Sequence, residues 1–183
     1  MLTATTVTNN DELQQILDLQ QLYLTGQNNS VEEKEQGFVT VKHSLNVLQQ
    51  MHELSPSVIV KDEGKVVAYA LVMTKECSSF IPVLVPMFES FAKINYKQQP
   101  LSAYSFYVMG QVCVHKDYRG KAVFDMLYNH HKQLFSRQYD FVLTEIATRN
   151  TRSVRAHERV GFKTIHTFRD TTDEWAIVLW DWS

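Results

Sequence analysis

Apolar and polar positions fall into a run of short periodic segments along the whole chain. "TATTVT" is β-branched and short, and predicts a first strand. Asn10-Asp11 offers an N-cap for "DELQQILDLQQLYL", where Leu13, Ile16, Leu17 and Leu24 recur with helical spacing. "GQNNS" breaks that helix, and a second helical region, in one or two pieces, runs from about Val31 to Leu54. "SVIVKDEGKVVAYALVMT" sets two β-rich runs around a tight Asp-Glu-Gly-Lys turn, the pattern of an antiparallel hairpin. "FIPVLVPMFESFAKI" predicts a turn or helix start at Pro82 and a helix after Pro86, and "YKQQPLSAY" a loop.

"YSFYVMGQVCVH" reads as a long strand in which Gly110 marks a bulge or a close backbone approach. The stretch "VHKDYRGKAVFDMLYNHH" carries that strand through a basic turn into a helix reaching about Gln138. "FVLTEIA" is a strand, "NTRSVRAHERVG" a helix closed by Gly161, and "FKTIHTF" and "WAIVLWDW" two final strands. The order β-α-α-β-β-(α)-β-α-β-α-β-β predicts an α/β fold: a mixed sheet of about seven strands with helices on its faces. Without repeats or a composition break, the expectation is a single domain over residues 1–183.

Composition narrows the function. The net charge of -2 argues against a general nucleic-acid binder, which needs a basic excess. The longest apolar run, Val66 to Met73, is far short of the roughly 20 residues of a membrane span, and the start "MLTATTVTNN" has no secretory pattern. Cys77 and Cys113 form no CxxC pair, so a cytoplasmic protein with two small core cysteines is expected. His115, His130 and His131 have no carboxylate at ligand spacing. A solvated helix face is the better reading of His130 and His131, and no metal is expected.

The turn Arg119-Gly120-Lys121 leads straight into a helix, whose N-terminus exposes backbone N–H groups and a positive dipole end. That layout suits a phosphate. Ala122 is a small change from glycine, and Phe124 can turn into the core if the backbone is already helical there. Downstream, "NTRSVRAHERVGF" places Ser153, His157, Gly161 and Phe162 at plus 3, 7, 11 and 12 from Asn150. On "FVLTEIA", Phe141, Leu143, Glu145 and Ala147 share one face, so Glu145 must lie at an open end or have a partner.

Together the two stretches resemble the Gcn5-related N-acetyltransferase (GNAT) family. Its motif A is a strand, an Arg/Gln-x-x-Gly-x-Gly/Ala turn and a helix; its motif B typically reads Asn-x-x-Ala-x-x-x-Tyr-x-x-x-Gly-Phe. The motif-specific part is Val108 to Phe162. The resemblance implies a mostly antiparallel sheet with helices on both faces, its fourth and fifth strands splayed around a cofactor slot. It implies acetyl-CoA as cosubstrate. The turn Arg119, Gly120, Lys121, Ala122, Val123, Phe124 would bind the pyrophosphate, Val112, Cys113 and Val114 would pair with the pantetheine arm, and Asn150 with Ser153 would hold the same arm. There are two departures from the pattern, at three positions: the family's glycines are here Ala122 and Phe124, and the usual tyrosine acid is His157.

An imidazolium, pKa roughly 6.5, is a stronger acid than tyrosine, pKa roughly 10, although most imidazole is neutral near pH 7. In the branch that acetylates protein N-termini, a glutamate at the position of Glu145 is the general base. The expectation is therefore direct acetyl transfer to a primary amine, with Glu145 as base and His157 as acid. The competing expectations are a non-catalytic acyl-CoA-binding module, or a plain interaction domain. Arg149, Arg152 and Arg155 meet CoA phosphates or water. Trp175, Trp180 and Trp182 pack in the core or form the contact of a homodimer. The first helices and the insert from Glu76 to Ala103 would shape the acceptor side. Glu32, Glu33 and Glu35 are too few acids there to indicate a polyamine or aminoglycoside.

Overall fold

The structure, a computed structural model, describes residues 1–24, 39 and 41–183. The elements are β1 (Thr3–Thr6), α1 (Asn10–Tyr23), α2 (Leu45–Leu54), β2 (Val58–Asp62), β3 (Lys65–Met73), α3 (Val85–Phe91), β4 (Asn95–Tyr96), β5 (Gln99–Pro100), β6 (Phe106–Val114), α4 (Val123–Phe135), β7 (Phe141–Ala147), α5 (Thr151–Val160), β8 (Lys163–Arg169) and β9 (Glu174–Asp181). Seven strands form one sheet in the order β1-β2-β3-β6-β7-β9-β8. Every neighbouring pair is antiparallel except β6–β7, which is parallel.

Local chemistry accounts for most boundaries. Asn9, one residue before the predicted cap, accepts from Glu12 N–H with its side chain and starts α1. Ser44 does the same for α2. The predicted helix from about Val31 to Leu54 is helical only from Leu45; residues 41–44 are not, and 31–38 and 40 lie outside the described residues, with Glu32, Glu33 and Glu35 among them. Glu63 (φ 48) and Gly64 (φ 84) make the β2–β3 turn, the two-residue left-handed type that matches strand twist. α4 stops at Phe135, short of Gln138. The "YKQQPLSAY" segment contains the small β4–β5 hairpin, turned by Lys97 (φ 46) and Gln98 (φ 69). Neither residue type advertises such a turn. Tyr96 and Lys97 tie it to Asp181 at the end of β9.

Both sheet faces are covered. α1, α2 and the Lys75–Ala103 insert bury Leu13, Ile16, Leu48, Met51, Phe91 and Leu101 against Tyr69, Leu71, Phe141, Leu143 and Ile177. On the opposite face α4 buries Val123, Leu127, Tyr128 and Phe135 against Val58, Ala70, Tyr107, Val142 and Val178. Two such layers give this sheet two dry faces, the condition for a parallel pair at its centre.

Candidate active site

The parallel pair is short. β6 and β7 match only at Phe106–Phe141, Tyr107–Val142 and Val108–Leu143, and then diverge. Thr144 Oγ1 donates to Met109 O at 2.8 Å where they part. On the other edge of β6, Ala70 faces Val112 whereas Val72 faces Met109, so β6 carries one extra residue across Gly110 and Gln111. This is a bulge, and it bends β6 away from β7. A Cβ on Gly110 would lie 2.4 Å from Met73 Cε, so the bulge also brings backbone close to a side chain.

A cavity of about 860 Å³ opens beyond the split, walled by the end of β6, the turn before α4 and the start of α5. Its rim is basic: Arg119, Arg152, Arg155 and Arg159 line it, with Arg159 paired to Asp125 at 3.1 Å. The turn is built from two left-handed residues, Gly120 (φ 74) and Ala122 (φ 56). The sequence treats Ala122 as nearly equivalent to glycine, but its left-handed backbone carries a strain of about 1 kcal/mol. Ala122 is the N-cap of α4, has no capping side chain, and its carbonyl accepts the first helical bond from Met126 N at 3.0 Å. The N–H groups of Val123, Phe124 and Asp125 therefore lack intrahelical partners and sit at the positive end of the dipole. Phe124 turns its ring inward onto Tyr128 and His157, at 4.8 and 5.1 Å between centroids, which keeps the cradle open.

Tyr23, the last residue of α1, braces this turn. Its hydroxyl accepts from Lys116 N at 2.8 Å and its ring lies 4.7 Å under the Arg119 guanidinium, whose Nε donates to Val114 O at 3.0 Å. His115 N donates to Val67 O across to β3. Strand alternation then aims the N–H groups of Val112 and Val114 away from β3, toward the slot.

α5 supplies the next wall. Asn150 caps it, with Oδ1 accepting from Ser153 N at 3.2 Å. His157 is buried, 1% exposed. Its Nδ1 lies 2.8 Å from Ser153 O and its Nε2 2.5 Å from the Tyr128 hydroxyl. A carbonyl only accepts, so Nδ1 carries the hydrogen and Nε2 accepts from Tyr128. Burial pushes the imidazole down to about 4, so His157 is neutral at pH 7. Its one proton is held by the Ser153 carbonyl. The geometry gives it no proton to pass to a leaving group.

A second, smaller cavity of about 90 Å³ lies in the split itself, lined among others by Met109, Gly110, Gln111, Glu145, Ser153, His157 and Trp175. Glu145 follows Phe141 and Leu143 on the α1/α2 face, as alternation requires. Its Oε1 is shielded from solvent and has no hydrogen-bond partner. Burial, with the Asp170 charge adding to it, raises its carboxyl to about 7. His157 belongs to the α4 face, packed on Tyr128 and Phe162. The split is thus a passage through the sheet, with a carboxyl near neutrality on one side and the basic cavity on the other.

A buried polar network fixes the passage wall. Gln111 Oε1 accepts from Gln20 Nε2 at 2.8 Å and Tyr69 OH at 2.6 Å, while Gln111 Nε2 donates to Val41 O at 2.8 Å. Gln20 Oε1 in turn accepts from His43 N at 2.9 Å. These bonds hold residues 41–43 down onto the bulge.

The sequence matches the profile of the acetyltransferase (GNAT) family over residues 13–162. The chain belongs to the GNAT family. Solved structures share its architecture. Over all of this chain and 95% of its own, the ribosomal-protein-S18-alanine N-acetyltransferase of Escherichia coli is 16% identical with a TM-score of 0.65. The Salmonella typhimurium protein yncA, solved with its cofactor acetyl-CoA, is 12% identical with a TM-score of 0.63, covering 100% of this chain and 94% of that one. The NatC complex bound to Gag peptide and CoA contains a chain 10% identical with a TM-score of 0.64, each covered to 98%. At these identities the likeness shows the fold. No curated protein matches the chain in sequence.

GNAT enzymes are acyltransferases that use acetyl-CoA, and the cradle here fits it: unpaired helix N-terminal N–H groups, a basic rim and strand N–H groups in line. The structure gathers Val112, Cys113, Val114, Arg119, Gly120, Ala122, Val123, Phe124, Asn150 and Ser153 around the large cavity, and Glu145 and His157 in the split. Lys121 stands aside, with Nζ over the Tyr118 ring at 5.3 Å. Sequence reasoning missed Tyr23, Gln111 and Tyr128; only partners distant along the chain reveal them. His131 is a correction. It is fully buried rather than solvated, hydrogen-bonded to the Tyr107 hydroxyl at 2.9 Å and pushed down to about 3 by burial. Trp180 and Trp182 pack among Tyr107, Tyr128 and Phe162 on the α4 face.

Proposed function

We propose that the protein transfers the acetyl group of acetyl-CoA directly to a primary amine, of a small molecule or a protein, within a ternary complex. The observation that carries this is the passage through the sheet, with the cradle on one face and the unpartnered Glu145 carboxyl on the other. Acetyl-CoA supplies the activated thioester. The N–H groups of Val123 to Asp125 and the arginine rim hold the phosphates. Val112 and Val114 N–H groups align the arm and steady the carbonyl oxygen as it gains charge. Glu145, near 7, is half ionised at neutral pH and accepts the amine proton. The 90 Å³ of the split suits a short acyl group. Two unpaired, buried cysteines suit a reducing compartment, the cytoplasm.

The test is acetyl-CoA titration by calorimetry, followed by an amine screen read by release of free CoA thiol. Micromolar binding and turnover with an amine are expected. Absence of binding sinks the reading. Binding without transfer to any amine would make the chain a non-catalytic acyl-CoA module.

A further inference from the structure

Four residues, Val39, Val112, Asn150 and Ser153, line both cavities. Their junction is where an arm running from the cradle to the split must place its sulfur. Asn150 and Ser153 alone of the four bring polar side chains. Asn150 Oδ1 is engaged by Ser153 N. Ser153 Oγ lies 3.4 Å from His157 Nδ1, but that nitrogen carries a hydrogen directed at Ser153 O and cannot accept another. The hydroxyl proton of Ser153 is thereby kept off the imidazole and left for whatever occupies the junction. Tyr128 locks the arrangement from the far side by donating to Nε2.

We infer that Ser153 Oγ–H donates the hydrogen bond that receives the leaving thiolate, and that His157 is the positioning residue that keeps this proton available. The inference rests on the acetyl-transfer reading. As the new C–N bond forms, the C–S bond breaks and its electron pair settles on sulfur. The amine proton passes to Glu145. Ser153 retains its own proton, because an alcohol is a far weaker acid than a thiol, and stabilises the sulfur charge by hydrogen bonding. The N-terminal turn of α5 adds its dipole at the same place. After release the thiolate is protonated by water and Glu145 returns its proton to solvent, which balances the cycle.

The measurement is the pKa of the CoA thiol bound to the protein, read by thiolate ultraviolet absorbance, with desulfo-CoA affinity as control. In the unaltered protein the bound thiol should titrate below its free value of roughly 8.5. Ser153→Ala should raise it by roughly one unit and lower kcat roughly tenfold to a hundredfold, with CoA affinity falling more than desulfo-CoA affinity. Alanine suits this helical position, so folding is preserved, and Ser153→Thr, which keeps the hydroxyl, should retain the low value. An unchanged thiol pKa in Ser153→Ala overturns the inference, as does equal loss of CoA and desulfo-CoA affinity. No CoA binding by the unaltered protein fells the cosubstrate reading and this inference together. A depressed, Ser153-dependent thiol pKa without transfer to any amine leaves the inference standing and removes only the acceptor assignment.

Discussion

Replacing Glu145 by glutamine should stabilise the protein, and only above a definite pH. The carboxyl rises from its ordinary 4.5 to about 7 because it is buried without a partner and faces the Asp170 charge. Below pH 4.5 it is protonated in folded and unfolded chains alike, and it costs nothing. Between 4.5 and 7 the unfolded chain releases the proton while the folded one retains it, so stability falls as pH rises. Above 7 the loss is complete. The span of 2.5 pKa units (7 − 4.5), at about 1.4 kcal/mol per unit, amounts to about 3 kcal/mol. Glutamine is neutral throughout and escapes the loss. Thermal and urea unfolding of both proteins at pH 5 and pH 8 are the assay. The advantage of Glu145→Gln should be under about 1 kcal/mol at pH 5 and about 3 at pH 8, or roughly 6–12 °C in Tm for a chain of this size. Acetyl transfer should fall by about 10²–10⁴ in the same variant. An equal effect at both pH values would show that Glu145 ionises normally, and the argument for a base poised at neutrality would collapse.

Ala122→Gly should raise Tm by a few degrees, since glycine tolerates φ 56 and the gain of about 1 kcal/mol exceeds its entropy penalty; a fall in Tm would contradict the strained turn. Gly161→Ala should destabilise by at least about 2 kcal/mol in urea, because Gly161 sits at φ 118 and the new Cβ would lie 2.5 Å from Trp180 Nε1; a neutral result would mean Trp180 moves aside. Tyr23→Phe removes the acceptor for Lys116 N and should raise KM for acetyl-CoA several-fold while kcat holds; a change confined to kcat would disprove the bracing role.

How much of this was legible beforehand varies with range. The seven sheet strands and their succession along the chain, though not their order within the sheet, follow from periodicity and turn residues, and the Gly110 bulge from a glycine inside a strand. These are local signals. The left-handed turns at Lys97-Gln98 and Ala122 carry no such signal, since none of the three is glycine or asparagine; surrounding contacts impose the conformation. His157 shows the same limit at the site. Its position within the motif is readable, but its protonation depends on Tyr128, a residue 29 positions earlier that no spacing rule connects to it. Glu145 was legible as an ionisable group on an apolar strand face. Its displacement toward 7 comes chiefly from burial at the sheet split, with Asp170 on the β8–β9 loop adding to it, and both arise from residues distant along the chain.

The short β6–β7 match also has a mechanical side. Three residue pairs at one end are the ladder that joins β1-β2-β3-β6 to β7-β9-β8, so the centre of the sheet is a half-unstitched seam. A ligand arm bonded to Val112 and Val114 on one side and to Asn150 on the other would act as the missing thread. Amide exchange at Val112 and Val114 of β6 should then slow on CoA binding more than in β2 or β3, which are paired along both edges and gain nothing. The cosubstrate would be, for as long as it stays, the eighth strand of the sheet.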